Sequence, residues 1–207
     1  KIVRSSFFCD IIGVMHQAGI NPLPMQTGAS VIVPGPKTHD GIQITSQPES
    51  ESQKTMAVLN QMIADLDELN HSGDDRYPPE VLERSWHSDM SWYGPAGIGS
   101  TYTIRRYQEQ HSYPFREALK DKVYNGHICR YADGDYACFF GWPNLTHTPA
   151  GGFLGLPGND CRVDMRVVDV YRREGDKLAE NWVIIDLPWW LKQQGIDILE
   201  RCKNIIS

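Results

Sequence analysis

The chain has 207 residues, of which 41% are apolar and 22% charged, with a formal net charge of −6. This is the composition of one globular domain with about 50 residues to spare. The acidic balance argues against a general nucleic-acid or anionic-lipid partner, and no apolar run nears the roughly 20 residues that span a bilayer, so neither nucleic acid nor membrane is expected.

Five cysteines, at 9, 129, 138, 161 and 202, form no C-x-x-C pair and are too scattered for a disulfide framework, which points to a reducing, cytoplasmic compartment. Residue 1 is Lys rather than Met, so a longer natural chain is expected. In chain order, the first pattern is Asp10-Ile-Ile-Gly-Val-Met-His-Gln17-Ala-Gly19-Ile20-Asn21, in which an Asp ends an extended run and a Gly suits the end of a short helix. The same pattern returns 176 residues later as Asp186-Leu-Pro-Trp-Trp-Leu-Lys-Gln193-Gln-Gly195-Ile196-Asp197. Such an echo marks either two copies of one domain or a common strand-to-helix ending met twice. On the first reading, residues 1–21 are the last strand and helix of a preceding similar domain. Residues 22–53, with Pro22, Pro24, Pro34 and Pro36 and a polar composition, read as a linker, and residues 54–207 as the main domain.

From Thr55 the residues Met56, Leu59, Met62, Ile63, Leu66 and Leu69 recur at three and four, the stripe of an amphipathic helix ending before Ser72-Gly73. Pro78-Pro79-Glu80 starts a second short helix, and a third, over 103–118, is broken at Pro114. The second half reads as strands: 124–131 and 135–144 flank Asp133-Gly134, and 161–173 and 178–186 flank Gly175-Asp176. The fold class is therefore α+β, with three helices, a curved antiparallel sheet of at least four strands, and a terminal helix.

With two-residue turns, the first hairpin sets Cys129 opposite Cys138, a packed thiol pair. In the second, Val163, Met165, Val167, Asp169 and Tyr171 share a face with Glu180, Trp182, Ile184 and Asp186. Carboxylates on an apolar face cost several kcal/mol unless paired, roughly, and desolvation lifts their pKa towards the range useful for proton transfer. Asp186, Asp169 and Glu180 are thus candidate acids, bases or substrate contacts; solvated strand ends, or a cap in the case of Asp186, are the alternative. Trp86, Trp92 and Tyr93 lie in a dense stretch ahead of the glycine-rich Gly94-Pro95-Ala96-Gly97-Ile98-Gly99, which lacks the Gly-Lys-Ser/Thr of a phosphate loop. His147, after the strand that contains Trp142, and His111, on the third helix, are candidate neutral donors or merely hydrogen-bonded imidazoles. No metal site is expected, because the seven His residues show no ligand spacing.

The element order, Trp92-Tyr93-Gly94-Pro95-Ala96-Gly97-Ile98-Gly99, the stretch from Thr146-His147-Thr148 to Phe153-Leu154-Gly155, and Glu180-Asn-Trp182 through Asp186 to Gln193-Gln-Gly195 together resemble the SnoaL-like polyketide cyclase family of the nuclear transport factor 2-like superfamily. The resemblance covers about residues 54–203. It implies a cone-shaped curved sheet closed over an apolar pocket by the N-terminal helices. It also implies cofactor-independent lyase or isomerase chemistry, such as an intramolecular aldol closure, run by an aspartate on the last strand, the position that Asp186 matches. A His partner on the preceding strand is replaced here by Asp169. On this reading Asp186 is the acid/base, His147 or His111 polarises a carbonyl, and Trp86, Trp92, Tyr93, Trp142, Met165 and Trp182 wall the pocket around a small apolar carbonyl-containing ligand. The alternative is a non-catalytic ligand-binding or association module. A third reading, epoxide hydrolysis, would need an Arg beside the carboxylates, and the register puts Arg166 on the opposite face. A homodimer, or a pseudo-dimer with a tandem domain, is implied by the same resemblance.

Overall fold

In the computed structural model residues 5–206 are described, so the first four residues of the expected remnant lie outside it. Helix α1 (Ile11–Gln17) is capped by Asp10, whose carboxylate accepts the Gly13 N–H at 2.9 Å. It ends at Gly19, with φ 81°, where the Ile20 N–H reaches back to the Met15 carbonyl. Of the apolar residues at this end, Phe7, Ile11 and Val14 are exposed. Ile12 is fully buried in this chain's own core, and Phe8 packs edge-on against Phe140 and Trp142.

The expected linker runs over the surface without forming a strand; its one sheet-like contact is the bridge between Ala29 and Ser100. It ends earlier than expected, because α2 (Glu49–Ser72) begins directly after Pro48, with Glu49 and Glu51 in its first turn where the helix dipole favours anions. Gly73, at φ 72°, ends it. The stripe of Leu59, Met62 and Leu69 is buried as the spacing predicts. The short α3 (Glu80–Glu83) follows the two prolines.

The stretch from Trp86 is a strand, β1 (Trp86–Tyr93), which the sequence reading had not assigned, followed by the two-residue β2 (Thr101–Tyr102). The third helix is divided as expected, but more finely: α4 (Ile104–Tyr107), a π-helical turn (Gln108–Ser112), and α5 (Tyr113–Ala118) with Pro114 in its first turn, where a missing N–H costs nothing. Then come β3 (Leu119–Tyr124), β4 (Cys129–Asp133), β5 (Tyr136–Pro149), β6 (Val163–Glu174) and β7 (Lys177–Ile185), and the closing helices α6 (Leu187–Lys192) and α7 (Ile198–Ile206).

The sheet order is β2-β1-β7-β6-β5-β3, with β4 also paired to β5; the sheet is curved and does not close on itself. Every pairing is antiparallel, as expected for the strands of the second half, except that the unassigned β1 runs parallel to β7. Register shifts interrupt four of the ladders, and such bulges bend strands, which curls the sheet into a cone. Its concave face packs against α2 and the α4–α5 segment in one continuous core.

Two registers differ from expectation, with different consequences. In the β4–β5 hairpin the turn lies at Gly134-Asp135, so Tyr131, not Cys129, stands opposite Cys138; the slip is by two residues and preserves the faces. In β6–β7 the expected pairing holds at the turn, where Arg173 faces Leu178. Ala179 then bulges out, and Arg172 faces Glu180. One extra residue turns the rest of β7 over. Asp169 pairs with Val183, not Trp182, and its inward face continues through Tyr171, Asn181 and Ile185. Glu180, Trp182, Ile184 and Asp186 fall on the convex side with Arg172, Val170, Val168 and Arg166.

Candidate active site

Between the concave sheet and the helices lies a cavity of about 610 Å³. That lies within the roughly 300–1,000 Å³ typical of small-molecule sites. Its sheet wall includes Trp86, Trp92, Met165, Val167, Val183 and Ile185; its helical wall includes Met62, Ile63, Leu66, Tyr107, His111 and Phe115.

Asp169 stands on this wall, deep in the cone yet partly accessible from the cavity. Desolvation lifts its carboxyl from the ordinary range up to about 7, only partly opposed by hydrogen bonds from Asn181 and Tyr171. The Asn181 amide donates to Oδ1 at 3.4 Å while also holding the Val170 carbonyl at 3.1 Å. Among the described residues no Lys, Arg or His forms an ion pair with Asp169, in contrast to Glu180 and Asp186. Burial and the adjacent Asp169 push the Tyr171 hydroxyl well up, so it stays protonated at neutral pH. Tyr107 is raised too, chiefly by burial.

The π-helical turn brings His111 to the same cavity. The imidazole lies 4.0 Å from the Trp92 ring at 17°, a stacked arrangement, and also touches Tyr107 and Phe115. Burial pushes its pKa down to about 3, so it is neutral at any ordinary pH. Its Nδ1 is buried without a hydrogen-bond partner.

The remaining expected residues are dispersed by physical constraints that the sequence pattern could not show. His147 faces inward but fills the narrow end of the cone rather than lining the cavity: Trp190 donates to its Nε2 at 2.8 Å, and burial, then Lys122 and Arg162, lowers its pKa to about 4. Asp186 is on the convex side, where it caps α6 by accepting the Trp189 N–H at 3.2 Å and lies 3.5 Å from Arg166. The expected common face of Asp169 and Asp186 is thus corrected by the bulge at Ala179. Arg166 shares the convex face with Asp186, and its guanidinium lies over the Trp189 ring, 3.7 Å from its centroid. Glu180 is completely buried on the same side, paired with Arg172 and accepting the Lys37 N–H at 3.2 Å from both oxygens. Tyr93 stacks on Trp182 at 5.6 Å, and the Trp182 indole donates to the Pro34 carbonyl at 2.9 Å, so the expected linker covers this face. Trp142 is half exposed outside the cavity.

The glycine-rich loop likewise serves packing. A Cβ on Gly28 would sit 2.6 Å from the Gly99 carbonyl carbon, so glycine permits the two backbones to cross. The Ala96 N–H donates to Asp10 at 2.8 Å and the Gly97 N–H to Gln26 at 3.0 Å, which ties the loop to the N-terminal segment.

Sequence reasoning missed Asn181, Tyr107, Tyr124, His127 and Arg130 as cavity residues. The adjacent apolar pair Leu178-Ala179 was a faint signal of the bulge that turns Asn181 inward. Nothing in the pattern singled out the others. Among the described residues no group of three His, Cys, Asp or Glu side chains is placed to hold a metal ion, and no helix is long and apolar enough to cross a membrane.

No protein-family model and no curated protein sequence matches the chain. Solved structures do. The chain is similar to a SnoaL-like polyketide cyclase candidate from Jannaschia sp. CCS1, at 14% identity and a TM-score of 0.54 over 69% of this chain and 92% of that one. It is similar also to IdmH, a polyketide cyclase candidate from Streptomyces antibioticus, at 20% identity and a TM-score of 0.50 over 66% and 98%. A nuclear transport factor 2-like protein from Burkholderia xenovorans aligns at 11% identity and a TM-score of 0.51 over 69% and 96%. The chain has the nuclear transport factor 2-like fold shared by SnoaL-like polyketide cyclases; identities this low speak to the fold and not to a reaction.

Proposed function

We propose that the cavity carries out acid/base chemistry on an apolar carbonyl compound, a lyase or isomerase reaction, with Asp169 rather than Asp186 as the acid/base. The observation that supports this reading is the carboxyl of Asp169, set in an apolar cavity with no cationic partner among the described residues and lifted by desolvation to about 7. A group with that pKa is present in both forms at neutral pH, which is what a proton relay needs.

The step is balanced without a cofactor. The Asp169 carboxylate takes a proton from the carbon beside the carbonyl, and the electron pair moves onto the carbonyl oxygen as an enolate. The carbon then attacks an electrophile or is reprotonated, and Asp169 returns its proton to the product. A neutral imidazole or phenol stabilises the enolate oxygen by donating a hydrogen bond, a role open to His111, Tyr107 or Tyr171. The stacked aromatic wall of Trp92 and His111 suits a flat, conjugated ligand.

The test is deuterium exchange at the carbon beside the carbonyl in a panel of apolar cyclic and aryl ketones, followed by NMR in D₂O. Exchange catalysed by the wild type and lost in Asp169→Asn is the expected result. Binding of the same ketones with no exchange in either protein would assign the cavity to non-catalytic ligand binding, the alternative reading. We further read residues 1–21 as the tail of a preceding similar domain. In support, α6 repeats α1 feature for feature, with an Asp cap and a left-handed Gly195 at φ 79° closed by the Ile196 N–H on the Leu191 carbonyl.

A further inference from the structure

The cavity wall carries three formally charged side chains, and they are unequally satisfied. Asp169 meets an amide and a phenol. Asp67, on α2, is exposed and lies 3.7 Å from His71. Arg130, on β4, is the one cation, and among the described residues it forms no ion pair. Its hydrogen bonds go to neutral acceptors alone: Nε to the His127 Nδ1 at 3.2 Å, and the terminal nitrogens to the Tyr124 hydroxyl at 3.4 Å and the Asn60 Oδ1 at 3.5 Å. Two of these are long, so the fork is oriented but not saturated. His127 does not compete with it for charge, because burial, then Arg130 itself, pushes the imidazole down to about 4.

Arg130 is also aimed. It stands opposite Phe139 on β5, with its guanidinium over the Phe139 ring at 5.3 Å, and Phe139 stands opposite Asp169 on β6. Arg130, Phe139 and Asp169 therefore form one row across the concave face. With strands ~4.8 Å apart, the backbone positions of Arg130 and Asp169 are on the order of 10 Å apart, with the buried Phe139 ring packed beneath the guanidinium.

We infer that Arg130 binds a carboxylate on the ligand, so that the substrate class is an apolar, aromatic-sized carbonyl compound bearing an acidic group about one ring length from the carbon that reacts. The inference rests on the reading of the cavity as a ligand site. A planar guanidinium whose fork lacks an acidic partner at the mouth of an apolar pocket is the group best matched to a carboxylate, which it takes through two parallel hydrogen bonds. The apolar body then extends past the Tyr124 and His127 rings, which line the cavity, towards Asp169.

The test compares 2-naphthylacetate with its uncharged methyl ester, each titrated by calorimetry and by the fluorescence of the cavity tryptophans Trp86 and Trp92. Titration at pH 6 and low salt keeps the probe ionised and Asp169 mostly protonated. In the wild type the acid is expected to bind about tenfold more tightly than the ester, as charge-assisted hydrogen bonds imply. In Arg130→Gln the two should bind within about twofold of each other, with ester affinity unchanged, and Arg130→Lys should retain only part of the preference. Equal binding of acid and ester to the wild type, or a preference that survives Arg130→Gln, overturns the inference while leaving the cavity a ligand site. No response to either probe overturns both.

Discussion

The two faces of the β6–β7 hairpin treat their carboxylates in opposite ways. On the convex side Glu180 is completely buried but meets the Arg172 guanidinium and the Lys37 N–H, while Asp186 is half exposed, beside Arg166, and caps α6. On the concave side Asp169 has an amide and a phenol for partners and, among the described residues, no cation. The same residue type is thus a structural anchor on one face and a titrating group near neutrality on the other. Glu180 is the more buried of the two, and what sets them apart is the partner each one meets.

This contrast can be broken most sharply by activity. Asp169→Asn is expected to lower the proton-exchange rate by about 10²- to 10⁴-fold, the usual worth of a general acid/base, whereas Asp186→Asn should change it by less than about twofold. The reverse result would return the chemistry to the convex side. Next in size is the buried pair. Glu180→Gln leaves Arg172 without its enclosed carboxylate and is expected to cost about 3 kcal/mol in urea denaturation, with cavity binding retained.

A smaller effect distinguishes the faces by pH. The Asp169 carboxyl titrates near 4 when unfolded and near 7 when folded, so between these values the folded state holds more of its proton and stability falls as pH rises. Three pKa units correspond to ~4 kcal/mol, and the access of cavity water to the carboxyl reduces the expectation to about 2 kcal/mol. Asp169→Asn should remove that component of the slope and gain stability over the wild type above pH 7, as chemical denaturation at pH 5 and pH 8 would show. A variant with an unchanged slope would mean that the cavity is wet enough to leave the carboxyl at its ordinary pKa. Smallest is the cap: Asp186→Ala should cost ~1 kcal/mol, through loss of the bond to the Trp189 N–H.

Much of the fold was legible from local patterns. The α2 stripe, the proline that divides the third helix, both hairpins of the second half and the matched ends around Asp10 and Asp186 are dictated by spacing, turn chemistry and capping within a few residues of each position. The motif resemblance likewise led to the correct cone. The candidate site was legible only in part: Asp169, His111, Trp86, Trp92 and Met165 meet at the cavity, whereas Asp186, Glu180, Tyr93, Trp142 and Trp182 lie on the other side and His147 in the packed tip. Period-two alternation could not separate the faces of β7, because Trp182 and Ile184 on one side are as apolar as Val183 and Ile185 on the other. The convex side is apolar because residues from the N-terminal segment cover it, a long-range contact with no local signature.

By itself, then, the sequence determined the main helices, the two hairpins of the second half, their order and the residue types able to move a proton. The tertiary structure decided which of those residues share a space. One bulged residue, Ala179, turned the rest of β7 over, and in a strand with a two-residue period a shift of one reverses every side chain that follows.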